Sequence, residues 1–260
     1  MADVSRPPMG VDPYTPNSAR AYNYMLGGKD NYEADQLFAE RVLEVAPDSR
    51  ALAHMSRRFL LRGVRLAAMA GVRQFIDIGA GIPISPSVAE VARQVDPSSR
   101  VVAIDFDPVV YAHWTATPSE ATPMLADLRH PDDLIDRLRT EELIDFTQPV
   151  AILIVGVLHF IHDKDHPAQI IARLRDEMAP ESYLVFTHAS SEGDQSFTSH
   201  ADAATRGSSS RPSLRPCADV AGFLDGFKVL DPGLTPIQRW LDDGSPTTLV
   251  EILGCVCRKP

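Results

Sequence analysis

The run Phe75-Ile76-Asp77-Ile78-Gly79-Ala80-Gly81-Ile82-Pro83 carries an apolar stretch into an acid and two closely spaced glycines. That order of residue types suits a nucleoside site. Without a Cβ at Gly79 and Gly81 the chain can pass close beneath a ligand, and free amide groups of the turn can face the ligand's polar atoms. A glycine turn with no ligand uses the same residues. Neighbouring positions narrow the class of nucleotide. A dinucleotide fingerprint needs a third glycine three residues after Gly81, where this chain has Ile84, and Pro83 alters the turn. A phosphate-cradling loop is excluded at Gly28-Lys29, because Asp30 replaces the required Ser or Thr and Asn23 replaces the first glycine.

Three further acids and a group of histidines extend the set. Asp105 ends a second apolar run, where a carboxylate can accept hydrogen bonds from both hydroxyls of a ribose held over the glycine turn. Asp107, directly before Pro108, reads as a helix cap. Asp127 ends a third run and can either accept from the exocyclic amine of adenine or form the turn before Leu128-Arg129. A fourth run delivers Gly156 and His159 to the same edge, followed by His162, Asp163 and His166. The histidines have the spacing of one helical face, but they leave a strand and lack a carboxylate-rich partner, so no metal site is expected. His159, nearest the strand end, is the candidate to line a pocket or act as base, whereas His162 and His166 read as loop histidines.

These residues need a sheet to bring them to one edge. From residue 75 onward, short apolar runs alternate with helix-length segments, the pattern of a mostly parallel sheet covered on both faces. Seven strands are predicted, over 75–79, 101–105, 123–126, 150–156, 183–188, 227–230 and 248–256, with helices over 87–95, 108–114, 132–139 and 167–178. The fold class is therefore α/β, a doubly wound, mostly parallel seven-stranded sheet with an N-terminal helical extension. Residues 1–70 form the arm and helical cap, and residues 71–260 the main domain with an insertion at 190–216. The proline-rich residues 1–16 read as an extended arm, after which Asn17 or Ser18 caps a helix ending at Gly27-Gly28. Two more helices come next, and the second places Leu52, Met55, Phe59, Leu66 and Ala70 near one face. The insertion is rich in Ser, Thr, Gly and Arg and is either a substrate-side loop or disordered.

Composition bounds the rest. The chain has 260 residues, a formal charge of −10 and three cysteines. The acidic balance argues against nucleic-acid backbones as partners and favours a small-molecule acceptor, although Arg57, Arg58, Arg62 and Arg65 make either a local basic patch or one solvated helix face. No apolar run approaches the ~20 residues of a membrane-spanning helix, and the N-terminus lacks a secretory pattern, so no membrane association and a cytoplasmic location are expected. The cysteines offer neither a disulfide framework nor a zinc site and read as reduced core thiols.

Several of these segments are shared with a known family. NSARAYNYMLGGKDNYEAD at 17–35, QFIDIGAGIP at 74–83, VVAIDFDPVV at 101–110, ADLRHP at 126–131, PVAILIVGVLHFIHD at 149–163 and SYLVFTH at 182–188 are the matching stretches. Through them the chain resembles, almost end to end, an actinobacterial family of S-adenosylmethionine-dependent methyltransferases long catalogued as a domain of unknown function. The first segment is the most specific; the others are general to class I methyltransferases. The resemblance implies S-adenosyl-L-methionine as cofactor, lying over Asp77, Gly79, Ala80 and Gly81. Asp105 and Phe106 then take the ribose side, Asp127 and Leu128 the adenine, and Gly156 and Val157 the end of the fourth strand. The chain departs from the family at Ser56, where an Asn precedes the arginine, and matches loosely over 190–216, which touches acceptor specificity and not the fold. In-line methyl transfer requires alignment more than a catalytic residue; where a base helps, His159, His188 and Tyr24 are the candidates in that order. Tyr22, Asn23, Lys29 and Asp30, with Tyr24 and Asn31, either cap the cofactor pocket or form a helix hairpin that satisfies its own backbone. A non-catalytic protein that binds the cofactor for regulation is the alternative reading.

Overall fold

The computed structural model describes residues 12–117, 121–193 and 211–260. Residues 1–11 of the expected arm and 194–210 of the expected insertion lie outside the described residues. Three helices open the chain: α1 (Ser18–Met25), α2 (Glu33–Val45) and α3 (Ser49–Met69). The Asn17 side chain caps α1 by accepting from the Ala19 N–H at 2.7 Å. Strands and helices then alternate: β1 (Gln74–Ile78), α4 (Val88–Val95), β2 (Arg100–Asp105), α5 (Pro108–Ala116), β3 (Ala121–Leu125), α6 (Pro131–Thr140), β4 (Val150–Ile154), α7 (Pro167–Glu177) and β5 (Tyr183–Ala189). After the insertion come α8 (Cys217–Gly222), β6 (Lys228–Val229), β7 (Thr235–Pro236), α9 (Ile237–Leu241) and β8 (Ile252–Arg258).

The strands form one sheet in the order β3-β2-β1-β4-β5-β8-β6, with β7 also paired to β8. The first five lie parallel, and β8 runs antiparallel to β5, β6 and β7. Every residue of β1, β4 and β5 is buried, because helices cover both faces and leave no polar side to the central strands. The order reverses between β1 and β4. Their carboxyl ends therefore diverge into a crevice, the place where a doubly wound sheet takes its ligand.

The structure has one short strand more than the seven expected, β7, and shifts several strand ends, most of all those of the expected fourth and last strands. The expected strand 150–156 stops at Ile154, since Gly156 adopts φ +76°. The expected strand 248–256 lies at 252–258, and its expected first residues instead form a loop in which Thr248 donates to the Val250 carbonyl at 2.6 Å.

Helix α3 lies on the sheet and fixes the height of the helical cap. Phe59 meets Trp240 edge to face at 5.9 Å, and Gly63 lets the helix backbone come down onto Val185 of β5. A smaller cluster of Ala21, Phe38 and Ala39 joins α1 to α2. At Gly63 an added methyl would sit 2.6 Å from a Val185 methyl, so two effects oppose each other. Alanine raises helix propensity by about 1 kcal/mol, but overpacking costs about 1–3 kcal/mol. We expect Gly63→Ala to lower Tm and Val185→Ala in the same chain to restore most of the loss, a non-additivity that thermal melts of the single and double variants will read.

Candidate active site

The glycine turn is tied inward. Gly79 has φ +70° and Gly81 φ +65°, conformations that favour glycine. The Gly79 and Ala80 N–H groups both donate to the Ile104 carbonyl, at 2.8 and 3.0 Å, and the Gly81 N–H donates to Asp105 Oδ2 at 3.0 Å. The expected outward-facing amides are thus absent, because the neighbouring strand β2 takes all three. What the turn offers a ligand is space. A Cβ on Gly81 would meet nothing within 4 Å, whereas one on Gly79 would strike Val157 Cγ2 at 2.2 Å. Gly79 is glycine for packing and Gly81 for an open surface. The Trp114 indole N–H holds that surface in place by donating to the Gly81 carbonyl at 2.8 Å.

Two buried carboxyl groups lie under the turn. Asp105 also accepts the Asp107 N–H at 3.0 Å, and both of its oxygens keep a second lone pair for a ligand hydroxyl. Burial pushes its pKa up to about 6 against these two hydrogen bonds. Asp77 receives no hydrogen bond on its carboxyl from any described residue. Burial raises it to about 7, with Arg57 pulling the other way and Asp105 adding to the rise. Asp107 caps α5 by accepting the Val109 N–H at 2.8 Å.

At the next strand end, Arg129 holds Asp127. The Arg129 N–H and guanidinium both donate to Asp127 at 2.9 Å, which keeps that carboxyl below its ordinary range against the opposing effect of burial. The turn-forming arrangement is therefore present, and the carboxylate already has a cationic partner. Arg129 also lies 5.9 Å over the exposed Phe106 ring, while Leu128 is buried beside it.

The other side of the crevice is built from β4, β5 and the return limb of the insertion. The Gly156 N–H donates to Thr187 Oγ1 at 2.8 Å. His159 lies 6.1 Å from His188, its ring tilted against Phe160 at 4.3 Å, with Nδ1 buried and unpartnered among the described residues. His188 is fully enclosed: Nδ1 donates to the Ala189 carbonyl at 2.8 Å and Nε2 accepts from Arg215 at 2.7 Å. Arg215 also binds the Ile161 carbonyl at 3.0 Å and Asp163 at 2.6 Å. Burial, with Arg215 nearby, lowers His159 to about 3 and His188 to about 4. The lone pair of His188 is already in use. His162 pairs with Ser213 at 2.7 Å, and the exposed His166 precedes α7. No cluster able to hold a metal ion occurs among the described residues.

The helical cap divides into two parts. Asn23 accepts from the Asp30 N–H at 3.1 Å and from Asn31 at 3.0 Å, Tyr24 donates to Glu40 at 2.9 Å, and Lys29 and Asp30 are exposed. These groups serve the hairpin, and Tyr24 carries its hydroxyl to α2. Tyr22 points the other way, donating to the Ala53 carbonyl at 2.8 Å, and burial raises it to about 12. Arg20 binds buried Asp35 at 3.0 Å and reaches to 3.8 Å from Asp107 beside the Asp105 loop. Sequence reasoning missed Arg20, Asp35, Arg57 and Arg215. Arg20 and Asp35 lie within the specific N-terminal segment, but nothing in their spacing shows that they pair across it.

Comparison with known proteins shows the family and the fold. A family profile described as S-adenosyl methyltransferase matches residues 5–260. A crystal structure of a DUF574 family protein from Streptomyces avermitilis MA-4680 is 32% identical, with 95% of this chain and 98% of that chain covered and a TM-score of 0.87. A protein from Thermobifida fusca YX described as a candidate methyltransferase is 32% identical over 98% of this chain and 99% of that chain, at a TM-score of 0.88. The plantazolicin methyltransferase BpumL, at 10% identity and a TM-score of 0.51 over 93% of this chain and 96% of that one, shares the fold alone. No curated protein matches the chain.

Gly81→Ala should cost stability only the left-handed backbone penalty of about 1–2 kcal/mol but abolish measurable binding of an adenosyl ligand, whereas Gly79→Ala should lower Tm further through the Val157 clash; melts and calorimetric titration separate the two. For Asp77 the raised folded pKa means that the charged form destabilises the ligand-free fold. That penalty is absent below the unfolded pKa near 4 and complete above about 7. Asp77→Asn should therefore raise the ligand-free Tm at pH 8 by about 2–8 °C and leave it unchanged at pH 3.5, as followed by melts across that range.

Proposed function

Since the chain belongs to the S-adenosyl methyltransferase family, with a match spanning residues 5–260, we propose that it methylates a small-molecule acceptor seated beside His159. It is a methyltransferase, and its cofactor is S-adenosylmethionine. The observation that carries the placement is the open surface over Gly81 beside the buried Asp105 carboxylate. The residues fit the group. Asp105 has lone pairs left for the ribose hydroxyls, Asp77 is a buried acid without a hydrogen-bond donor, and no Cβ fills the space above Gly81. Phe106 and Leu128 offer apolar surface to the adenine, with Ala80, Asp127, Gly156 and Val157 completing the rim. Tyr22 and Arg20 join the helical cap to this pocket, and Asn23, Lys29 and Asp30 stabilise the cap itself.

The cofactor, when bound, supplies an electrophilic methyl group on a cationic sulfur. The protein's part is to hold the acceptor in line and to exclude water, effects that can be worth about 7–11 kcal/mol where alignment is good. Neither histidine on the acceptor side is suited to take up a proton near neutral pH. His159 is held neutral by burial and by Arg215, and His188 has its lone pair engaged. Tyr24 is bonded to Glu40. These facts favour an acceptor whose nucleophilic atom is already deprotonated, and the positive field of Arg215 helps present it so. The formal charge of −10 supports a small molecule over a phosphate backbone, and no described helix is long and apolar enough to cross a membrane.

Turnover on a metabolite extract, read as release of S-adenosylhomocysteine, tests the reading. Binding of S-adenosylhomocysteine without turnover on any fraction would instead favour a regulatory binder. With an acceptor in hand and saturating cofactor, His159→Ala should lower kcat/KM by about 10–100-fold through lost alignment and leave the shape of the pH profile between pH 5 and 8 unchanged. Loss of an inflection in that range would instead identify His159 as a base.

A further inference from the structure

The return limb of the insertion is bound to both strand ends on the His159 side of the crevice, and one side chain makes most of those bonds. Arg215 is 6% exposed, whereas the side chain of Asp163, the carboxylate it meets, is 91% exposed. An ion pair with one member in water is worth little, so pairing does not account for burying the other. The guanidinium instead spans separate segments of the chain. Its Nη1 donates to Nε2 of His188 on β5 at 2.7 Å, and its Nη2 donates to the Ile161 carbonyl at 3.0 Å, in the segment after β4. The limb's own backbone adds to this. The Arg215 N–H donates to the Ala189 carbonyl at 3.3 Å, and the Ser213 N–H to the His159 carbonyl at 2.6 Å. One limb thus holds the backbone at His159 and Ile161 while its arginine fixes the His188 ring. Because arginine has donors only, it occupies the Nε2 lone pair and leaves His188 the Nδ1–H form that the Ala189 carbonyl accepts.

We propose that Arg215 is a positioning residue for methyl transfer, which sets the separation between the His159 segment and the His188 ring and so the place where the acceptor lies. The proposal deepens the acceptor placement above and rests on it. Nearly all of the guanidinium's N–H groups are engaged by the protein, so it acts through the imidazoles and not on the reacting atoms. The planar fork suits this task, because it can meet His188 on one arm and the Ile161 carbonyl on the other, which a lysine ammonium on a single stem does not reproduce. An Arg215 that only closed the neck of the insertion would support stability and be indifferent to the partition between binding and turnover.

Two measurements on the full chain are compared: calorimetric titration with S-adenosylhomocysteine, and the turnover rate at saturating amounts of cofactor and of the active extract fraction. Arg215→Met should lower that rate by about 10–100-fold through lost alignment while S-adenosylhomocysteine affinity changes by less than about twofold. Arg215→Lys should fall between, and if the Met variant does not fold, the Lys variant decides by the same comparison. If Arg215 acts through His188, the losses are not additive, and Arg215→Met combined with His188→Asn should be within about twofold of the slower single variant. An unchanged rate, an equal loss of rate and of S-adenosylhomocysteine affinity, or fully additive losses in the double variant overturns the proposal and leaves the methyltransferase reading intact. Wild-type protein that turns over no fraction overturns the acceptor placement and the proposal with it.

Discussion

The bond from the Gly81 N–H to Asp105, 3.0 Å long, fixes the end of β1 against the end of β2, and the site is arranged around it. It sets the left-handed turn at Gly81 and, through the second oxygen of Asp105, the start of the loop that Asp107 turns into α5. A buried carboxylate would be costly here were it not hydrogen-bonded twice. Those same bonds hold it in one orientation and leave its remaining lone pairs facing the crevice. The turn is therefore a preorganised surface rather than a flexible loop, because its amides are already paired and its shape does not wait for a ligand.

The N-terminal cap is fastened to that loop by charge. Asp35 accepts the Asn17 N–H and the Tyr32 N–H, both at 2.8 Å, and binds Arg20, whose other end approaches Asp107. Residues from two helices and the β2 loop thus share one buried network, in which removal of any member leaves a charge without its partner. The hairpin polar groups around Asn23 complete the cap locally. A cap held in this way can shape the pocket without contributing the reacting groups.

Local pattern made the central features legible. The apolar run into Asp77, Gly79 and Gly81 and the acid at Asp105 are short-range signals, set by the needs of a strand end and a tight turn. The buried central strands were likewise legible, since their helix-covered faces leave continuous apolar runs. The bonds of Arg215 to His188 and Asp163, and the approach of Arg20 to Asp107, join residues far apart in the chain, and no spacing rule encodes them. Arg57 read as part of a helix-face stripe with Arg58, Arg62 and Arg65, because sequence does not show which arginine of the stripe turns inward. The short strand β7 and the start of β8 were obscured because antiparallel pairing at the sheet's far side carries little apolar periodicity.

On the placement proposed above, the two walls of the crevice differ in charge in a way that matches the work. On the cofactor wall, Asp77 and Asp105 are acids whose ionisation burial opposes, so positive or hydroxyl-bearing groups are welcome there. A ribose is unaltered by methyl transfer. On the placement proposed above, interactions with it bind the cofactor before and after reaction alike, and set affinity rather than rate. The acceptor wall carries neutral imidazoles backed by the buried Arg215, where an added proton is disfavoured. Rate must then come from that wall, through alignment and through a field that keeps the attacking atom's lone pair free. On that proposed division, the residues of the cofactor wall are written in local motifs, while those of the other wall are assembled from β4, β5 and the residues around Arg215.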